Sequence, residues 1–275
     1  MNTSRKIDPF SFDVSAWPLL PRLKGLMVVG TDTGVGKTLI AGAIARQLLR
    51  HRRRVEVFKP AATGCRRDRE GLVSEDAEFL AKAAESRRML AEICPLRFSR
   101  ATAPNVAAQW SHQAVDLEAM FTAYRRLEGQ CEAVVVEGVG GLFCPISDGF
   151  WVIHLAKLLG LPVVIVARAG LGTISHTLLT LYAARKADLA VAGVVINRYL
   201  LEPPAGPTRT DMPQFAQDAD LAMFTNPDQI ALRGGVTILA IVPEDAESSV
   251  QKACIGSDTQ FAISQVDWEG IMGLR

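Results

Sequence analysis

Several common signatures are missing from this chain. Its five cysteines (Cys65, Cys94, Cys131, Cys144 and Cys254) are scattered, odd in number and without a C-x-x-C pair. That excludes a disulfide framework or a thiolate zinc site and fits free thiols in a reducing compartment. No apolar run approaches the roughly 18–20 residues that span a bilayer. Residues 1–22 carry charges and aromatic rings but not the apolar block of a secretory signal. The expectation is a cytoplasmic protein with no membrane partner. Net charge is only +1, so no global field favours nucleic acid. The basic run from Arg50 to Arg54 reads as the cationic end of a helix, stabilised by its dipole. The four histidines lack metal-ligand spacing, and no Ser-His-Asp arrangement is legible.

What is present is a rhythm. Among 275 residues, 49% hydrophobic and 21% charged, six short apolar runs recur: Leu26–Val29, Val55–Phe58, Ala133–Val136, Val163–Ala167, Val191–Ile196 and Val236–Val242. They are continuous rather than alternating, as strands covered on both faces require. Helical patterns lie between them, over Leu39–Leu48, Asp76–Ala84, Asp116–Leu127, Trp151–Leu159 and Ser175–Ala187. The fold class is therefore α/β, a mostly parallel β-sheet with helices on both faces, in a single domain; the glycine-rich loop after the first run makes it P-loop NTPase-type. Residues 23–246 are expected to form it, with an N-terminal arm (1–22) and a C-terminal extension (247–275) that carries no readable motif. The proline- and acid-rich stretch from Pro203 to Asp220 reads as a surface excursion.

Ligands of such sheets bind beyond the carboxyl ends of the strands, and chemistry-bearing residues stand there. After the first run comes V-G-T-D-T-G-V-G-K-T-L-I (Val29–Ile40), a phosphate loop whose first glycine, Gly30, sits one residue earlier than the usual spacing. Its amides and the helix behind them suit a polyphosphate; Lys37 would reach the outer phosphates and Thr38 a magnesium ion. Lys59 and Thr63 follow the second run, Asp76 opens a helix, and Glu137 follows three valines as the natural second carboxylate on the metal's side. Glycines and hydroxyls from Gly170 to Ser175 form a further helix N-terminus, suited to a carboxylate or phosphate. Asn197 ends the fifth run with an amide able to read a base edge.

In that order, G-T-D-T-G-V-G-K-T (Gly30–Thr38), K-P-A-A-T-G (Lys59–Gly64), E-D-A (Glu75–Ala77), T-A-P-N (Thr102–Asn105), V-E-G-V-G-G (Val136–Gly141), G-L-G-T-I-S-H (Gly170–His176) and Asn197 resemble dethiobiotin synthase, an ATP-dependent enzyme family of the biotin pathway. The likeness runs from about Lys24 to Asp245. It implies a homodimer that closes a ring on 7,8-diaminononanoate with carbon dioxide and MgATP. Carried across, Gly34, Val35, Gly36, Lys37, Thr38 and Leu39 would wrap the triphosphate, and Thr38, Asp76 and Glu137 would hold Mg2+. Lys59 and Lys37 would be catalytic. Thr33, Lys59 and Thr63 would meet the diamine, and Glu137, Gly138, Val139 and Gly140 would form a loop shared by nucleotide and substrate. Gly172, Thr173, Ile174 and Ser175 would receive the substrate carboxylate in the neighbouring subunit's site. Asn197, Arg198, Val242, Pro243 and Glu244 would form the adenine pocket. Asn105 stands where the family often has histidine. The alternative is a ParA/MinD-type switch ATPase, but those carry a second lysine at the position of Asp32. An inactive module of the same fold is a third reading.

Overall fold

The computed structural model describes residues 8–69, 71–200 and 214–275, with no account of side chains between 214 and 221. The stretch from Pro203 to Asp220 therefore lies largely outside the described residues. Its end, from Gln214, is not a loop but the start of a helix.

Six strands form the central sheet: β1 (Gly25–Gly30), β2 (Val55–Phe58), β3 (Ala133–Gly141), β4 (Val163–Arg168), β5 (Val191–Tyr199) and β6 (Ile238–Pro243). Their spatial order is β6-β5-β4-β1-β3-β2, and every neighbouring pair is parallel. Among the described residues, the α-helices that accompany them are α1 (Lys37–Arg50), α2 (Glu75–Ala83), α3 (Leu90–Ile93), α4 (Pro104–Trp110), α5 (Leu117–Arg125), α6 (Val152–Leu159), α7 (Thr173–Lys186), α8 (Gln214–Gly234), α9 (Ser257–Ser264) and α10 (Trp268–Ile271).

The continuous apolar runs arise because alternate side chains of one strand feed two different cores. Met27 and Val29 of β1, Val134 and Val136 of β3, and Val163 and Ile165 of β4 join a core with α5, α6 and α7. Leu26, Val28, Val135, Val164 and Val166 face the other way, into a core with α1 and α2. The tail belongs to this second core: Ile263 and Trp268 are buried in it, and the Trp268 indole N–H donates to the Ile263 carbonyl at 2.7 Å. Arg53 also grips Glu269 at 2.6 Å, which ties the basic end of α1 to the tail. At the opposite face, Phe10, Phe12 and Trp17 of the arm pack on the first core.

Two strands run past their apolar stretches. β3 continues through Gly138–Gly141, pairing Gly30 with Gly141 after an irregularity, so Glu137 lies inside the strand rather than beyond it. β5 likewise continues through Asn197 to Tyr199. Glycine and polar residues give no hydrophobic signal, which is why these ends are silent in sequence.

Candidate active site

The turn between β1 and α1 folds back on itself so tightly that a side chain at Gly30 would collide. A Cβ there would lie 2.7 Å from the Asp32 carbonyl oxygen and 3.0 Å from Lys37 Cδ. This is the physical reason for the early glycine. Gly36, the residue before α1, has φ of 96°, and a Cβ on it would come within 2.0 Å of Asn197 Nδ2. Asn197 instead donates that amide to the Val35 carbonyl at 2.9 Å. It therefore braces the phosphate loop with one of its two amide N–H groups. Lys37 lies along the loop with Nζ donating to the Asp32 carbonyl at 2.9 Å.

Strand β3 delivers Glu137, 1% exposed, opposite this loop. Its Oε1 accepts from Thr38 Oγ1 at 2.9 Å and from Lys59 Nζ at 2.5 Å. Lys59 follows β2 and is 3% exposed. Its segment is anchored by the Lys59 N–H donating to the Ile93 carbonyl at 2.8 Å and by Ala61–Ala62 pairing with Leu96–Arg97. The same ammonium reaches Asp76 Oδ2 at 3.0 Å and the Gly138 carbonyl at 3.4 Å. Asp76 stands in the first turn of α2, whose N-terminus Ser74 caps by accepting from the Ala77 N–H. Dipole stabilisation and site chemistry thus fall on one residue.

Burial alone would lower the Lys59 ammonium, but the charges of Glu137 and Asp76 outweigh it and hold it well above the ordinary lysine range. Desolvation pushes the Asp76 carboxyl up, yet Lys59 brings it below its usual value. Lys37 is pulled down, chiefly by burial, with Glu137 opposing. Glu137 Oε2 is buried and has no hydrogen-bond partner among the described residues. An orphaned carboxylate oxygen, a second carboxylate and a hydroxyl are hard oxygen donors that suit magnesium. Thr38, Asp76 and Glu137 therefore fit that ion.

One cavity of about 390 Å³ is lined by Thr33, Gly34, Gly36, Lys37, Thr38, Leu39, Lys59, Thr63, Asp76, Glu137, Val139 and Gly140. A second, of about 310 Å³, adjoins it through Gly36, Leu39 and Arg198 and is lined by Asn197, Pro243 and Glu244. Val35 and Val242 are not on either wall; both side chains are buried in the core. Gly138 contributes its carbonyl to Lys59. Gly172, Ile174 and Ser175 line neither of these cavities; they border an open apolar groove with Leu171, Leu178, Leu179 and Tyr182. Thr173 beside them is 1% exposed. Asn105 donates to Asp148 at 3.3 Å. Sequence reasoning missed Ser248–Gln251, which complete the second cavity, with Val250 and Gln251 also bordering the first. The one available hint is that they follow a strand end.

A parallel sheet whose first strand–helix turn is a glycine-rich phosphate loop, backed by a lysine, a hydroxyl and two carboxylates, defines a P-loop nucleotide-binding protein. A family profile described as an AAA domain matches residues 24–252. The ATP-dependent dethiobiotin synthetase of Bacillus subtilis subsp. natto is 35% identical over 81% of this chain and 88% of its own length. That of Thermodesulfovibrio yellowstonii is 34% identical over 91% of this chain and 99% of its own. The chain belongs to the dethiobiotin synthetase family. In fold it is also similar to the septum site-determining protein MinD of Pyrococcus horikoshii, at a TM-score of 0.53 and 16% identity over 92% of this chain and 97% of that one. Among the described residues no helix is long and apolar enough to cross a membrane.

Proposed function

We propose that this protein is a cytoplasmic dethiobiotin synthase, joining 7,8-diaminononanoate and carbon dioxide at the expense of ATP to give dethiobiotin, ADP and phosphate. The observation that carries this reading is the convergence of Lys37, Thr38, Lys59, Asp76 and Glu137 on one cavity. One amine adds carbon dioxide to form a carbamate and loses a proton. A carbamate oxygen then attacks the γ-phosphorus, and ADP leaves. The second amine attacks the carbamate carbon, phosphate departs, and the cyclic urea closes. No protein nucleophile enters this sequence, in accord with the missing triad. The residues position two amines and neutralise charge on the moving phosphoryl group. Lys37 does so at the γ-phosphate, and Lys59, held cationic by its two carboxylates, at the reacting carbamate. Thr38, Asp76 and Glu137 would hold magnesium, which would supply further charge neutralisation during phosphoryl transfer.

Gly34–Leu39 wrap the triphosphate in this proposal, and Thr33 and Thr63 meet the diamine. Glu137–Gly140 serve nucleotide and substrate together. Asn197, Arg198 and Val242–Glu244 frame the base, with the extension after residue 246 adding Ser248–Gln251. Gly172–Ser175 serve the substrate carboxylate of a second copy, so the active species is a homodimer. That reading is supported by their separation from their own chain's cavity and by the exposed Leu171, Leu179 and Tyr182 beside them. Mass spectrometry of the product from diaminononanoate, ATP and labelled bicarbonate tests the whole. Label should appear in a cyclic urea, and phosphate release should need both diamine and bicarbonate. Undiminished ATP turnover without diamine would replace this reading with a switch ATPase.

A further inference from the structure

The arm that precedes the family-matched region is connected to the site by a continuous set of contacts. The Pro9 carbonyl accepts from His154 Nε2 at 3.0 Å, and His154 Nδ1 accepts from the Trp151 N–H at 3.2 Å, which fixes one neutral tautomer. Phe12 stacks flat on that imidazole with centroids 4.2 Å apart. His154 lies in the first turn of α6. The two residues before it, Val152 and Ile153, donate their N–H groups to the carbonyls of Cys144 and Leu142 at 3.1 and 2.9 Å. Those carbonyls belong to the loop that directly continues β3 beyond Glu137–Gly141. Between them, Phe143 receives Phe10 edge-on at 5.7 Å, and Lys186 of α7 sits 4.3 Å from the centre of the Phe10 ring. Leu142, Phe143 and Cys144 form one wall of a separate cavity of about 360 Å³, whose other walls are Thr31–Thr33 and part of α7. Thr33 and Gly140 border this cavity and the active-site cavity alike.

We propose that the N-terminal arm is a positioning strap: Phe10 and the Pro9–His154 bond hold the Leu142–Cys144 loop, and through it the diamine side of the active site, in place. Phe10 and His154 are positioning residues, since neither borders the reacting groups. A ring wedged between a cation and Phe143 resists the outward swing of that loop. An aromatic contact of this kind supplies about a two- to tenfold preference for the closed arrangement.

The part of this inference that concerns the diamine rests on the proposed synthase reading; the part that concerns the loop does not. Cys144 provides an independent probe, because its half-buried thiol lies on the wall that the strap braces. In the full-length protein, Phe10→Ala should raise the alkylation rate of Cys144 by iodoacetamide about two- to tenfold, followed by peptide mass spectrometry with exposed Cys254 as internal standard. Phe10→Tyr, which keeps the ring between Lys186 and Phe143, should restore much of the protection. The KM for diamine should rise by a similar factor while the Kd for ATP, measured without diamine, stays within twofold. Unchanged Cys144 reactivity in Phe10→Ala would overturn the strap. Altered reactivity with no dethiobiotin formed by the unmodified protein would retain the strap and remove the synthase reading. Equal loss of diamine and ATP binding would mark the arm as a general stabiliser and overturn the proposal.

Discussion

Replacing Lys59 by methionine tests the electrostatics of the site without nucleotide present. The side chain keeps its length and loses its charge, so packing changes little while Glu137 and Asp76 lose their shared cation. In the folded protein that cation lies 2.5 Å from one carboxylate and 3.0 Å from the other. Removing one partner of a buried pair costs about 3–5 kcal/mol. Most of that falls on Glu137, whose side chain is 1% exposed, because Asp76 is 38% exposed and solvent screens its share. For a chain of this size, each kcal/mol lowers the midpoint by about 2–4 °C, so a drop of roughly 10 °C is expected at neutral pH. The sign with pH follows from the carboxylates. In the parent protein Asp76 is held below its ordinary value, so its contribution is present at neutral pH and fades in acid. In the variant the two carboxylates lose the ammonium that bridges them and keep only the nearby charge of Lys37. Burial already holds Glu137 above its ordinary value in the parent, and the folded-state protonation of both moves upward. The gap between parent and variant is therefore largest near pH 7.5 and narrows as pH falls toward 5. Urea unfolding of both proteins at several pH values measures it. A gap below about 1 kcal/mol, or one that does not change with pH, would refute the buried triad as described.

Other changes bear on other parts of the molecule. Lys37→Ala should remove about 3 kcal/mol of transition-state stabilisation, a loss of more than a hundredfold in phosphate release; near-normal turnover would show the phosphate-loop assignment to be mistaken. Gly36→Ala meets both a positive φ of 96° and the Asn197 amide, a strain of about 1–3 kcal/mol. Nucleotide titration should show affinity falling about tenfold, and unaltered binding would remove the brace. Burial holds the His154 imidazole below its ordinary value, with Lys157 adding to the effect and the Pro9 carbonyl opposing it. Its contribution to stability is therefore whole above the unfolded value of about 6.5 and declines as pH falls below it. The decline between pH 7.5 and 5.5 should be smaller in His154→Gln, and identical slopes would count against the neutral tautomer. Leu179→Glu should yield a monomer that makes no dethiobiotin, as sedimentation and product assay would report; an active monomer would displace Gly172–Ser175 from the shared site.

How much was legible in the sequence depended on the kind of signal each part carries. Strands buried on both faces announce themselves by uninterrupted valines and isoleucines, and all six were placed to within two residues at their starts. Their ends were harder. Gly138–Gly141 and Asn197–Tyr199 extend β3 and β5 through backbone pairing alone, which leaves no trace in hydropathy. Lys59 and Glu137 stood out because charged residues at the tips of apolar strands need partners, the phosphate loop by its glycines with Lys37 and Thr38, and Asp76 as a carboxylate opening a helix. That the same lysine would bridge both carboxylates was not readable, since it depends on how the segment after β2 folds against Ile93. The tail was opaque for a different reason. Trp268, Ile263 and Met272 are spread among polar residues in two short helices, too short to develop a periodic face, yet they close the core over α1. Asn197 was read only as a base contact, and its amide nitrogen also braces the phosphate loop through the Val35 carbonyl. Strand position finds such a residue but does not choose its partner.

The charges of the site constrain what can bind there. Lys37 and Lys59 together offset Asp76 and Glu137, so the four charged side chains nearly cancel. A triphosphate brings several negative charges, and the N-terminus of α1 offers only about half an elementary charge against them. Lys59 cannot swing wholly to the phosphates without abandoning two carboxylates in low dielectric. In the proposed reaction it is also needed at the carbamate, where negative charge would develop. One acceptor in the pocket is left over: Glu137 Oε1 takes Thr38 and Lys59, while Oε2 has no partner among the described residues. A divalent cation there would satisfy that oxygen, leave Lys59 free to share its charge with the substrate, and make triphosphate binding possible where the side-chain charges nearly cancel. Four nearly cancelling side-chain charges and one orphaned oxygen thus favour a divalent cation such as magnesium beside any polyphosphate that this loop admits.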